Sequence, residues 1–262
     1  MHTLPDLLIT TDKYIVKLAD SLKEVQQALR LRYEVFNMEL HEGLSVSNDV
    51  GFDSDVFDTF CDHLIVIEKS SHAVVGTYRL LRSGKAEKHI GFYSEGEFDL
   101  KAIKLLKGNS LELGRSCVAK EHRSSTVINL LWSGISRYME LFDIARLFGC
   151  ASLHTRDLEE ISLVCEYLRK NFFSPEDCRI APLPQCTLQL PTIDPETYAA
   201  TKVFLHLPPL LKGYLRLGAL VCGEPAYDKD FGTVDFFIVV EKSRITDRYR
   251  NHYLSPREKA AA

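Results

Sequence analysis

The chain predicts an α/β fold, a mixed twisted sheet with helices on both faces. Three stretches carry that expectation. Residues 63–69 and 73–81, HLIVIEK and AVVGTYRLL, are rich in β-branched residues and flank Ser70-Ser71-His72, the pattern of a hairpin. Residues 111–118 read as an apolar strand that passes through a polar turn straight into a long helix. Val234–Val240 is almost wholly apolar, as a central strand buried on both faces must be.

The remaining elements follow in order. Ser21-Leu-Lys-Glu24 fits a capping box, and Leu22, Val25, Leu29 and Phe36 follow at helical spacing. Arg32 lies within that apolar stripe, so its guanidinium must find an anion. Residues 82–110 are charged and read as a surface excursion with a short helix near 99–106. The helix after 111–118 runs from about 125 to 148, with Val127, Leu131, Tyr138, Leu141, Phe142 and Ala145 as its stripe and Gly149 as its stop. Cys150–His154 reads as a short strand. Thr155 can cap a helix to about 171 that buries Ile161, Val164, Cys165, Leu168 and Phe172. Residues 173–200 hold five of the ten prolines and no periodicity, so they read as a structured insertion. Residues 201–222 suggest a helix broken at Pro208-Pro209, and the polar tail from about 242 to 262 a last helix with a frayed end.

At 262 residues, 45% hydrophobic and 26% charged, the chain suits one domain, 1–262, with a real core. No apolar run approaches the roughly 18 residues of a membrane span. The start, MHTLPDLLITTDKY, lacks the basic and apolar regions of a signal peptide. Seven cysteines without a Cys-x-x-Cys pair predict free thiols in a reducing cytoplasm. A net charge of −4 argues against nucleic acid as a partner. Peripheral contact with the inner membrane face, through a local patch, stays compatible with this composition.

The candidate chemistry centres on LELGRSCVAKEHRSS, residues 111–125. A strand, a basic hydroxyl-rich turn and a helix N-terminus form a cradle for the phosphate end of a carrier group. Arg123, Ser124 and Ser125 would hold that phosphate. Ser116, Cys117 and Val118, on the strand just before, which can hold the reacting carbonyl, would bind the carrier group. Glu112 is the candidate general base, and Arg115 its orienter or the clamp on a substrate carboxylate. In a regular strand these two point to opposite faces, so a bulge, most naturally at Gly114, is predicted. Otherwise each pairs elsewhere in the sheet. The acidic run Asp53, Asp55, Asp58, Asp62 lacks the glycine and later glutamate of a calcium loop, so no metal site is expected there. Arg79 sits in an apolar strand and also needs an anion. Asp58 is expected to bind a substrate ammonium or to pair with Arg32 or Arg79. Cys117 reads as a packing residue rather than a nucleophile. Lys85, Lys88, Lys101, Lys104 and Lys107 form a candidate patch for an acidic partner.

Five blocks in order, LRLRYEVFNMEL (29–40), FDSDVFDTFCDHLIVI (52–67), VVGTYRLL (74–81), LELGRSCV (111–118) and the segment 207–240, resemble bacterial N-acyltransferases of the GNAT superfamily that make lyso-ornithine lipids and other N-acyl amino acids. Some of these are labelled hemolysin-like. The pattern Arg32, Phe36, Asp55, Asp58, Arg79, Glu112, Arg115 more distantly resembles acyl-homoserine-lactone synthases. The resemblance implies a GNAT-like sheet and transfer of a long, sometimes 3-hydroxylated, acyl chain to the amine of an amino acid, with ornithine first. It implies acyl-phosphopantetheine on acyl carrier protein, or acyl-CoA, as cosubstrate and no permanently bound cofactor. Arg32, Phe36, Asp55, Asp58 and Arg79 would then line the amino-acid pocket, and Tyr167 would protonate the leaving thiolate. The turn at 119–125 departs from the glycine-rich signature usual for acetyl-CoA, which favours a single pantetheine phosphate. A signal synthase and a non-catalytic lipid-binding protein are the rival expectations.

Overall fold

The computed structural model describes residues 7–123, 125–193, 203–205 and 207–245. Its nine-stranded sheet is built from β1 (Leu8–Thr10), β2 (Tyr14–Leu18), β3 (Asp62–Glu68), β4 (Val74–Arg82), β5 (Asn109–Val118), β6 (Ile144–Leu153), β7 (Leu220–Val221), β8 (Ala226–Asp228) and β9 (Thr233–Glu241). The order is β1-β2-β3-β4-β5-β6-β9-β7, with β8 also on β9. Among the described strands only β5 and β6 pair in parallel, so the sheet is mixed as expected.

Among the described residues four helices of nine residues or more flank it: α1 (Leu22–Tyr33), α2 (Ser125–Leu141), α3 (Leu158–Phe172) and α4 (Pro209–Leu217). α1 buries Ala28, Leu31 and the following Val35 with Ile65, Val74 and Cys117. α2 buries Leu131, Ile135 and Tyr138 with Leu64, Leu80 and Leu113 on the opposite face. The pleat alone separates these two layers, because neighbouring residues such as Leu64 and Ile65 point opposite ways.

Several boundaries differ from expectation. The Ser21 hydroxyl caps Glu24 N at 3.3 Å, but the Glu24 carboxylate reaches back to Asp20 N at 3.0 Å, one residue early. The inner face of α1 is Ala28, Leu31, Arg32 and Val35, while Leu22 at its first turn is exposed. Beyond Tyr33 the helix widens into a π-type turn, Glu34–Glu39. α2 stops at Leu141, not near 148. Asp143 turns the chain at φ +46°, and β6 begins at Ile144 because that apolar run is captured between β5 and β9. Asp157, not Thr155, caps α3, accepting from Glu159 N at 2.9 Å and Glu160 N at 3.3 Å. Pro208 and Pro209 start α4, and residues 242–244 form one 3₁₀ turn. The rest of the tail, 246–262, and 194–200 of the insertion lie outside the described residues. The stretch 82–110 holds the expected short helix, Lys101–Lys104, and is exposed at 87–90 and 104–109, but it is a surface excursion only in part. Phe92, Phe98, Leu100 and Ile103 are buried against Phe148 and Phe237.

Gly149, expected to end a helix, lies in mid-β6. A Cβ there would stand 2.3 Å from the Leu113 carbonyl oxygen of β5. Backbone cannot yield as a side-chain tip can, so Gly149→Ala should force β5 and β6 apart. The expected loss is about 1–3 kcal/mol, read from urea unfolding. An unchanged urea midpoint would refute the close approach.

Among the described residues, no helix is long and apolar enough to cross a membrane.

Candidate active site

β5 carries the decisive irregularity. Arg79 of β4 pairs with Gly114 and Thr77 with Cys117, so Arg115 and Ser116 together face Tyr78. The predicted bulge exists, one residue later than Gly114. Arg115 itself takes the left-handed conformation, φ +45°, uncommon for a residue with a side chain. The extra residue reverses the pleat. Leu111 and Leu113 pack with α2, whereas Cys117 packs with α1, so Glu112 and Arg115 fall on one face.

Both meet Tyr93 there. The Glu112 carboxylate accepts from Tyr93 N at 2.9 Å, Ser94 N at 2.8 Å and Ser94 Oγ at 2.7 Å. Burial pushes its pKa up and these hydrogen bonds oppose the shift, leaving it above the ordinary value. The Arg115 guanidinium stacks between Tyr93, 4.6 Å from the ring centroid, and Phe231, at 4.2 Å.

Beside them three arginines alternate with three aspartates. Arg32, fully buried, donates to Asp53 at 3.1 Å and to both oxygens of Asp58 at 2.7 and 3.2 Å. Arg79 donates to both oxygens of Asp55 at 2.6 and 2.7 Å and to Asp58 at 3.4 Å. Arg115 donates to Asp55 at 3.2 Å. Both buried arginines thus find their anions, and Asp58 pairs with both. Asp55 and Asp58 also cap one another's turn, Asp55 N donating to Asp58 and Phe57 N to Asp55. The acidic run is therefore no solvated loop. His63 is buried 3.9 Å from Asp58, and neither ring nitrogen has a hydrogen-bond partner among the described residues; burial lowers its pKa, with Asp58 opposing. Phe36 leaves the π-type turn to meet Phe231 edge-to-face at 5.9 Å, closing this side.

Past Glu112, β5 and β6 no longer pair. Their parallel ladder covers Asn109–Glu112, while β6 continues along β9 to Leu153. The unpaired wedge lies beyond this ladder, where β5 runs on through Ser116–Val118 and a short turn to the start of α2.

A GNAT acetyltransferase domain matches residues 31–133, which span α1 to α2. The chain is 38% identical over 246 residues to an L-ornithine N(alpha)-acyltransferase of Brucella abortus (strain 2308), covering 91% of this chain and 88% of that protein. It is 36% identical to the enzyme of the same description from Rhizobium meliloti (strain 1021), covering 90% and 83%. The chain belongs to the L-ornithine N(alpha)-acyltransferase family. It is an acyltransferase of GNAT fold that acts on an amino acid, and the non-catalytic reading is set aside. The fold is shared with FeeM, an N-acyl amino acid synthase from uncultured soil microbes, at TM-score 0.53 and 9% identity over 93% of this chain and 97% of that one.

Arg123 is held by Glu39 through two contacts, 2.5 and 2.6 Å, and by the Val118 carbonyl at 3.1 Å, so its guanidinium is already engaged. Ser125 begins α2 and is exposed. Ser124 lies outside the described residues. Cys117 is buried and burial pushes its thiol up to about 12, which suits packing. Tyr167 of α3 packs against Phe172 and Phe204. Of the five candidate lysines, Lys85 pairs with Asp62, Lys101 with Asp99 and Lys104 with Glu95.

Several residues of this region, Phe231 among them, were not expected from the sequence. Tyr93, Ser94 and Glu97 come from the buried part of 82–110, and Asp235 from β9. Asp235 did carry a signal, a lone charge in the apolar run TVDFFIVV, of the kind that singled out Arg79.

Proposed function

We propose that this enzyme transfers a long-chain acyl group from the phosphopantetheine thioester of acyl carrier protein to the α-amine of ornithine, giving a lyso-ornithine lipid. The bulge supports this reading most directly, since it turns Glu112 and Arg115 to one face beside the wedge in the sheet. The pantetheine arm enters between β5 and β6 along Ser116–Val118. Its phosphate lies at the N-terminus of α2, where Arg123 exchanges Glu39 for it. Arg115, cationic and part of a stacked platform, clamps the acceptor carboxylate. Glu112 has acceptor capacity left beyond its three bonds and removes the ammonium proton through it. The amine then attacks the thioester carbonyl. As the tetrahedral intermediate collapses, the C–S bond breaks and the extra proton on nitrogen passes to the departing sulfur, releasing the amide and the free pantetheine thiol. Positioning of two substrates supplies much of the rate, and no covalent enzyme intermediate is needed.

Exposed Met38, Val46, Val50 and Val56 lie on the segment between α1 and β3. That apolar margin suits a peripheral membrane contact at the cytoplasmic face, where an amphiphilic product would be released.

Purified protein incubated with C14–C18 acyl and 3-hydroxyacyl carrier proteins and a panel of amino acids tests the proposal by mass spectrometry. N-acylornithine as the main product is the expected result. Transfer from acyl-CoA but not from carrier protein would overturn the donor, and preferred acylation of another amino acid would overturn the acceptor.

A further inference from the structure

Beyond Ser94 the site continues into a pocket of negative charge that the reaction above does not use. Cys150 of β6 donates through its thiol to Ser94 Oγ at 3.4 Å, the same hydroxyl that donates to Glu112. One ligand atom each of Glu97, Cys150 and Asp235 lies within 4.8 Å of the others. Glu97 is only 6% exposed and Asp235 4%. Asp235 accepts from Thr233 Oγ1 at 3.0 Å. Neither carboxylate oxygen of Glu97 has a hydrogen-bond partner among the described residues. Asp228 stands behind them, accepting from the Tyr93 hydroxyl at 3.3 Å.

Among the described residues, the cations that act on this group are already engaged elsewhere: Arg115, which acts on Glu97, is shared with Asp53 and Asp55, and His154, which acts on Asp235, pairs with Glu42. The three arginines of the site are matched by three aspartates, so Glu97, Asp228 and Asp235 are in excess. Two buried carboxylates this close repel one another, and an unpartnered one is expensive to keep out of water. Burial first, and then the neighbouring carboxylates, push both Glu97 and Asp235 above the usual carboxylate range. A cation arriving among them would relieve both penalties.

We propose that Glu97 and Asp235, with Asp228 behind them, bind the side-chain ammonium of a diamino-acid acceptor and so select ornithine over acceptors lacking that charge. This rests on the amino-acid acyltransfer reading above and deepens it. An ammonium has three donors, and Glu97 alone offers two unclaimed oxygens. Ornithine carries two ammonium groups and one carboxylate, so it brings the positive charge that this region lacks. The α-amine at Glu112 and the side-chain ammonium at Glu97 would lie on either side of Ser94 and Cys150, spanned by the three methylenes.

The test compares L-ornithine with L-norvaline, which has the same chain length without the terminal amine. The readout is the ratio of kcat/KM for the two acceptors in the wild type, Glu97→Gln and Asp235→Asn, so a loss common to both acceptors cancels. The ratio should strongly favour ornithine in the wild type and fall about 30-fold or more in each variant, the scale of removing one partner from a buried charge pair. Glu97→Gln should also raise Tm without ligand, since it removes an unpartnered buried carboxylate. A folded Glu97→Gln enzyme with an unchanged ratio would overturn the assignment. So would loss of turnover on both acceptors on adding EDTA, which would make the cluster a metal site. If no amine is acylated at all, the proposed function fails instead. Calorimetric binding of ornithine and norvaline to the wild type and Glu97→Gln then decides the pocket on its own.

Discussion

Arg32→Leu should lower the stability of the protein by about 3–5 kcal/mol, a large share of the ~5–15 kcal/mol typical of a domain. Leucine fits an apolar helix face, so packing volume is not the issue. What is lost is the partner of two carboxylates, because Asp53 is fully buried and Asp58 nearly so. Arg32→Lys should rescue little, since an ammonium cannot hold Asp53 and both oxygens of Asp58 with a planar fork. The same network predicts acid lability. Burial pushes the Asp58 carboxyl up, but the Arg32 and Arg79 charges outweigh it and hold it well below its ordinary 3.8. A carboxylate depressed in the folded state contributes stability that is fully present above its unfolded pKa. That contribution is lost as pH falls through 3.8 and below. Urea unfolding at pH 7 and pH 3 measures both effects. A loss below about 1 kcal/mol at pH 7 would mean that the pairs behave as surface salt bridges do.

This network also shows what the sequence could and could not tell. A charge inside an apolar period is legible, because burial without a partner is forbidden on energetic grounds. Arg32 and Arg79 were therefore known to need anions, and the acidic run was the nearest supply. The bulge was legible too, as the only geometry that lets positions 112 and 115 share a face. Its position was not, because a positive φ at Arg115 has no local signal when a glycine stands beside it. The short helix within 82–110 was legible, but the buried part of that stretch was not, because its residues follow neither period. Phe92, Phe98 and Ile103 are held by tertiary contacts with β6 and β9, which no local pattern announces. β6 illustrates the same override. Ile144–Phe148 extends α2 equally well on a helical wheel, and only the slot between β5 and β9 makes it strand. Tyr93, Ser94 and Glu97 were missed for that reason, while Asp235 broke the rule that exposed Arg79 and was open to the same inference.

Glu112→Gln should reduce kcat by about 10²–10⁴-fold, the usual contribution of a positioned base. The structure adds a second expected effect. All three hydrogen bonds to Glu112 come from donors, two of them backbone N–H groups that begin the turn at Tyr93. A glutamine offers one acceptor oxygen and one NH₂ group, so either the Tyr93 or the Ser94 amide faces another donor. Leaving one buried N–H unpaired costs about 1–3 kcal/mol. The turn it loosens carries the ring under Arg115. The variant should therefore lose turnover and stability together, and turnover alone cannot separate base from brace. The pH profile can. A base whose pKa burial raises above the ordinary carboxylate value gives the wild type an acidic limb in kcat that rises with pH as Glu112 ionises. Glu112→Gln should flatten that limb, whereas Ser94→Ala, which removes one donor and leaves the carboxylate, should keep the limb and shift it to higher pH. Rate constants that fall in Glu112→Gln while the limb persists unchanged would assign the proton to another group. Glu112 would then be the residue that holds the 93–94 turn against the sheet, and the bulge would serve Arg115 alone.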